Sequence, residues 1–181
     1  MRLFAILIFL LSLNVSAQII TGQHCGYDFT SYLVVNVKEN GKEGNIKNLR
    51  VVLVDSIGKE VVNFNNSLSW SGRNEVMLFK PNYKIDSKGK KLEEGQESDR
   101  WFFPFAKDSY ILSVTNTFKA DDYMVRIEDV DGNENNGYFK TETIPLYSFN
   151  MYILCSSENE RQAQRFGPRT NRPIEVYVEK H

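Results

Sequence analysis

The chain has 181 residues, of which 41% are hydrophobic and 25% charged, with 22 Lys and Arg against 23 Asp and Glu. That balance supplies no basic footprint for nucleic acid and no single-sign surface for an acidic membrane. The length suits one domain able to bury a core of its own.

The first seventeen residues, MRLFAILIFLLSLNVSA, carry Arg2, an unbroken apolar run from Leu3 to Leu11, and small residues ending at Ala17. This is the pattern of a secretory signal peptide. The apolar run is shorter than the roughly 20 residues that a membrane-spanning helix needs, and no later segment approaches that length. The expectation is an exported chain starting near Gln18, in periplasm, at a cell surface or in the medium, with residues 18–181 forming a single domain. Without Arg2, 21 basic side chains face 23 acidic ones.

Only two cysteines occur, Cys25 and Cys155. In an exported chain paired thiols oxidise, so a structural Cys25–Cys155 disulfide is expected. Closing so long a loop removes about 5 kcal/mol of unfolded-state entropy in the chain model. The alternation of Phe149, Met151, Ile153 and Cys155 against Asn150 and Tyr152 would turn Cys155 inward.

Short β-branched and aromatic runs then recur between turn signals such as Asn40-Gly41, Ser71-Gly72 and Gly167-Pro168. Leu33, Val35 and Val37 alternate with Tyr32, Val34 and Asn36. Val51 to Val54 is apolar on both faces and suits a central strand. Tyr110, Leu112 and Val114 alternate with Ile111, Ser113 and Thr115; Tyr123, Val125 and Ile127 alternate with Met124, Arg126 and Glu128. Near the end, Ile174, Val176 and Val178 alternate with Glu175, Tyr177 and Glu179, as in an edge or half-exposed strand. The expected fold is all-β, an antiparallel β-sandwich of two sheets with their apolar faces together and two long polar loops. A short helix is expected at most near Ser157 to Arg165.

The segment Tyr32 to Val62 runs through a strand, a polar excursion, a second strand of the form V-x-L-V-D at Val51 to Asp55, and a short Gly turn at Gly58. It resembles the opening of transthyretin-like or carboxypeptidase-regulatory-like β-sandwich domains of exported bacterial proteins. The later Asp131-Gly132, followed by Gly137-Tyr-Phe139, is similar to the D-G-x-F turn and strand of such domains. The resemblance covers about a quarter of the exported chain, and the Trp101 cluster described next has no counterpart in it. It implies a non-catalytic accessory or binding module and carries over no functional residue.

Two polar stretches interrupt the strands, Pro81 to Arg100 and Ser156 to Pro173. The second bears Arg161, Arg165, Arg169 and Arg172 among amides, and is either a solvated connector or a contact for an anionic partner or glycan. Directly after the first stretch comes Trp101-Phe102-Phe103-Pro104-Phe105. In a strand Trp101, Phe103 and Phe105 would share one face and line the core; exposed, the same rings would form a platform for a sugar face or a protein partner. Trp70, isolated between Ser69 and Ser71 beside Gly72, is expected to be partly exposed.

The stretch EDVDGNENNG, Glu128 to Gly137, raises the question of calcium. Counted from Asp131, the ligand positions 1, 3, 5 and 12 of a helix-loop-helix calcium loop hold Asp131, Asn133, Asn135 and Glu142, but the sixth place is Asn136 rather than glycine and the flanks read as strands. Asp129, Asp131 and Asn133 offer an alternative set of alternate oxygens. A hairpin turn selects the same letters, since Asp-Gly and Asn-Gly accept positive φ, and the turn is the preferred reading. No cofactor is expected, with calcium at this loop the alternative.

Catalytic patterns are thin. The only histidines are His24 and His181, and no nucleophile elbow, zinc motif, phosphate loop or dinucleotide fingerprint occurs. The expectation is an exported, non-enzymatic binding or accessory protein whose partner is a protein or glycan. A small secreted hydrolase acting through two carboxylates is the alternative, because such a pair needs separation in space and no spacing in sequence.

Overall fold

The alternating runs become strands, and their register decides which residues go inside. The computed structural model describes residues 30–93, 95–130, 139–153 and 172–181. Among these are eight strands: β1 (Thr30–Glu39), β2 (Arg50–Asp55), β3 (Leu78–Pro81), β4 (Tyr110–Thr115), β5 (Tyr123–Glu128), β6 (Glu142–Pro145), β7 (Met151–Ile153) and β8 (Ile174–Val178). No α-helix occurs among the described residues, only three short 3-10 turns. Among the described residues the fold is mostly β, in line with the all-β expectation.

Hydrogen bonding joins the strands in the order β6-β5-β2-β3-β4-β1-β7, with β8 also on β1. The path is continuous because β3 pairs with β2 through Val51–Phe79 and with β4 through Lys80–Ile111. The hydrogen bonding therefore draws one mostly antiparallel sheet curled into a half-barrel. β7 and β8 share one edge of β1, β7 antiparallel along Ser31 to Leu33 and β8 parallel along Val35 to Glu39. That parallel pair departs from the all-antiparallel expectation. At one end the curl tightens further, where Phe139 bridges Lys180 and Lys140 N–H donates to the Glu179 carbonyl at 2.8 Å.

Side chains from alternate positions fill the concave side. Leu33, Val35 and Val37 of β1, Val51 and Leu53 of β2, Tyr110, Leu112 and Val114 of β4, and Val125 and Ile127 of β5 form one buried cluster. It is the expected inward set, and β2 is indeed central, apolar on both faces. β8 likewise buries Ile174, Val176 and Val178 and exposes Glu175 and Tyr177. The buried phenol of Tyr110 is satisfied: its Oη donates to the Ile46 carbonyl at 3.1 Å and accepts from Leu49 N–H at 3.0 Å.

On the convex side, β2 and β5 carry charges over apolar stems. Arg50 and Glu128 are cross-strand partners, as are Val52 and Arg126. Arg50 forks onto Glu60 at 2.8 and 2.9 Å and reaches Glu128 at 2.7 Å, while Arg126 reaches Glu60 at 2.7 Å. The hydrogen bond from Arg50 holds the Glu60 carboxyl below its usual range, and the two carboxylates in turn push the Arg50 guanidinium up.

One reading of the sequence needs amendment, and two features were not read from it. Phe149 does not continue the inward face of β7: it lies in a 3-10 turn, Ser148–Asn150, and is half exposed, because the Asn150 side chain turns back to accept from Tyr147 N–H. β3, unmarked by alternation, forms because both neighbours offer it backbone partners. The stretch Pro81 to Arg100 stays mostly exposed, and its backbone is tied: Lys84 bridges Trp101 and Ile85 bridges Lys91 around a turn in which Asp86 Oδ1 accepts from the backbone N–H groups of Lys88 and Lys90.

Candidate functional site

The sheet register builds the floor of a groove on the convex face. Lys80, Ile111 and Val34 lie side by side across β3, β4 and β1, and Ser113 lies beside Tyr32 in the next row. Inward neighbours of these residues fill the core, so by the period of two their own side chains face outward. An open groove of about 440 Å³ lies over this floor, lined also by Thr30, Leu78, Trp70, Ser71, Tyr83 and Phe102. Its size falls within the range of small-ligand sites.

Two loops bring the aromatic rings to the floor, and a buried asparagine organises each. Asn63, fully buried, accepts from Leu68 N–H at 3.0 Å and Ser69 N–H at 3.1 Å through Oδ1, and donates to the Ser69 and Ser71 carbonyls at 2.9 and 2.8 Å. Those four bonds fold residues 68–72 around one amide and leave Trp70 at the loop tip, 60% exposed. Gly72 closes the turn at φ +68°, where a Cβ would meet Glu75 Oε2 at 3.2 Å. The hydroxyls of Ser69, Ser71 and Ser113 stand 3.2 Å from one another, joining the loop to β4.

Asn82 does the same for the other loop. It donates to the Phe103 and Lys107 carbonyls at 2.9 and 2.6 Å and accepts from Phe103 N–H at 3.2 Å. Phe103 is thereby pressed onto the convex face, 3% exposed, stacked on Tyr32 at 4.5 Å and edge-on to Tyr152 at 5.6 Å. Phe102, its neighbour, is 40% exposed, edge-on to Tyr32 at 6.2 Å and stacked on Tyr83 at 4.9 Å, with Lys91 over the Tyr83 ring at 5.3 Å. Desolvation in this cluster, with Glu175 nearby, pushes the Tyr152 phenol up to about 12.

The Trp101 to Phe105 cluster is thus divided by function of position. It is not a strand, and its rings do not enter the concave core; they cap the outside of β4, β1 and β7, where Phe103 is buried with Val34, Ala106 and Ile111, and Phe105 and Trp101 are half-buried. Trp101 lies under Lys84, whose ammonium is 5.6 Å from the ring. Phe102 alone of the five residues lines the groove. Trp70 is exposed as expected, and joins the cluster across the floor although 31 positions separate it from Trp101 in the chain. Sequence reading missed Asn63 and Asn82. The first has a visible signal, the Asn- and Ser-rich run Asn63 to Gly72; the second, bonded to a residue 21 positions away, has none.

Among the other candidates, Asp129 Oδ2 accepts from Phe139 N–H at 3.1 Å, which uses a would-be metal ligand to close the loop that begins there. Glu142 lies on β6 opposite Ile127. Asp131, Asn133 and Asn135 lie outside the described residues, as do Cys25, Cys155, Arg161, Arg165, Arg169, His24 and the helix expected near Ser157. Among the described residues no three His, Cys, Asp or Glu side chains converge on a common point. The carboxyls of Glu39, Glu60 and Asp121 are each held low by a hydrogen bond, from Lys42, Arg50 and Ser148 respectively, opposite to the direction a general acid requires. No helix among the described residues is long and apolar enough to cross a membrane. Comparison of the chain with protein-family models, curated proteins and solved structures finds no match.

Proposed function

We propose that the protein is an exported binding module, without catalysis of its own, that takes a glycan in the groove between Trp70 and Phe102. One observation carries the reading: two loops, each built around a buried asparagine, hold rings at the surface over a floor of mixed hydroxyl and aliphatic side chains. Rings left exposed while the backbone beneath them is fixed offer a sugar large apolar area at little ordering cost. The hydroxyls of Ser71 and Ser113 supply the few polar contacts that orient a ligand in a groove of this kind.

Export through residues 1–17, a Cys25–Cys155 disulfide and a sandwich-like accessory domain of the transthyretin-like type belong to the same proposal. The signal pattern and the two-cysteine count support the first two, and the Tyr32 to Val62 segment supports the third. The glycan reading is tested by retention of the full chain on insoluble polysaccharides. Retention on at least one matrix, lost in Trp70→Ala and in Phe102→Ala with melting unchanged, is the expected result. Retention unaffected by both substitutions would sink the groove as the site.

A further inference from the structure

We infer that the groove selects an acidic saccharide, a chain of uronate-type sugars, with Lys80 reading the carboxylate; this rests on the glycan reading and adds the charge of the ligand. The residues lining the groove include one cation, Lys80, and no Asp or Glu. Four lysines are neutralised locally, Lys38 by Glu175, Lys42 by Glu39, Lys47 by Asp108 and Lys140 by Glu179, and none of these lines the groove. Lys80 has no ion-pair partner among the described residues. Its place is fixed, since β3 hydrogen-bonds to both β2 and β4 and sets Lys80 directly beside Ile111. An exposed ammonium with no carboxylate beside it in the groove attracts an anion there, most strongly at low salt.

The remaining groups select a sugar over a bare anion. A pyranose has an apolar face and an equatorial rim of hydroxyls. The Trp70 indole, 60% exposed, presents area for that face, and the Ser71 and Ser113 hydroxyls, bonded to each other but with acceptor lone pairs to spare, accept from that rim. Tyr83 is less available for a sugar because Phe102 stacks on it and Lys91 stands over its ring. A uronate unit brings both requirements together, a ring for Trp70 and a carboxylate for Lys80, which line the same groove.

The test is calorimetric titration of the full chain at low salt with linear hexasaccharides of galacturonate, mannuronate, guluronate and a glucuronate-containing repeat, against a neutral maltohexaose and a hexaglutamate peptide. At least one uronate is expected to bind about tenfold or more tighter than maltohexaose, with affinity falling as salt rises. Lys80→Gln should bring the uronate down to the neutral level, Lys80→Arg should retain most of it, and Trp70→Ala should weaken every saccharide by about tenfold or more. Maltohexaose bound as tightly as every uronate would overturn the acidic selectivity while leaving the glycan reading intact. Hexaglutamate bound in place of any saccharide, or no probe bound at all, would overturn both. Both Lys80 variants and Trp70→Ala sit at the surface, and an unchanged melting curve checks that each has folded.

Discussion

The concave and convex faces of the sheet solve the same packing problem with different materials. Inside the curl the residues are mostly aliphatic, with Val35, Leu53, Val114 and Val125 fully sealed from water, and their side chains are held by burial. Outside, over β3, β4 and β1, the residues are rings, and amide hydrogen bonds from Asn63 and Asn82 fix the loops that carry them. Burial as a fastening consumes the surface it fastens. Hydrogen bonds beneath a loop leave its tip exposed, and Trp70 and Phe102 are the tips. The difference is what separates a core from a binding surface made of equally apolar side chains.

Substitutions can break this contrast in order of size. Leu53→Ala, in the sealed interior, removes buried methyl groups and leaves a cavity, and should cost about 3 kcal/mol, a fall of roughly 6 to 12 °C in melting midpoint for a domain of this size. Asn63→Ala should cost somewhat less, about 2 kcal/mol, because backbone groups at Leu68, Ser69 and Ser71 lose their partner. Its second effect is the sharper one: saccharide binding should fall with it, whereas Leu53→Ala should leave binding intact below the melting transition. Trp70→Ala should change stability by less than about 0.5 kcal/mol, since its ring is mostly exposed, yet remove binding. A large loss of stability in that variant would mean that the ring is a fastening after all.

Smaller effects test the other side of the convex face. The Arg50 hydrogen bond lowers the Glu60 pKa in the folded state below its ordinary value of 4.5. Stability from that bond is present in full above the ordinary value and is lost as pH falls through the lower folded value. A melt series from pH 6 to about pH 3 should therefore decline less steeply in Glu60→Gln than in the parent chain, by a small margin because the pair is partly solvated. The smallest expected effect is none: millimolar calcium after a chelator should leave the melting midpoint where it was, in keeping with a loop closed by the Phe139 N–H to Asp129 hydrogen bond. Calcium bound at 100 times its dissociation constant would add about 2.7 kcal/mol, and a shift of that size, abolished by Asp131→Ala, would make Glu128 to Gly137 a metal loop.

Strand identity and facing were legible because alternation of period two is written locally. Leu33, Val35 and Val37, or Val125 and Ile127, declare their side of the sheet within six residues. β3 was not legible: four residues, two of them Lys80 and Pro81, carry no such pattern and form a strand through the partners on either side. The Trp101 cluster was visible as composition but not as place, since nothing in five consecutive aromatic and proline letters says which side of a sheet they will cover. The groove was least visible of all. Its members come from β1, β3, β4 and two loops, and no spacing along the chain relates Trp70 to Phe102 or either to Lys80.

The sequence by itself determined an all-β chain, the inward set of its strands, the central position of β2 and the half-exposed character of β8, all through periodicity and residue type. Only the tertiary structure decided that β3 joins the strands into one curled sheet, that β8 runs parallel to β1, and that Trp70, Phe102 and Lys80 share a groove. The physical reason is range. Periodicity is a property of neighbours along the chain, whereas pairing, curl and convergence are set by hydrogen bonds and burial between segments that the chain brings together only when it folds.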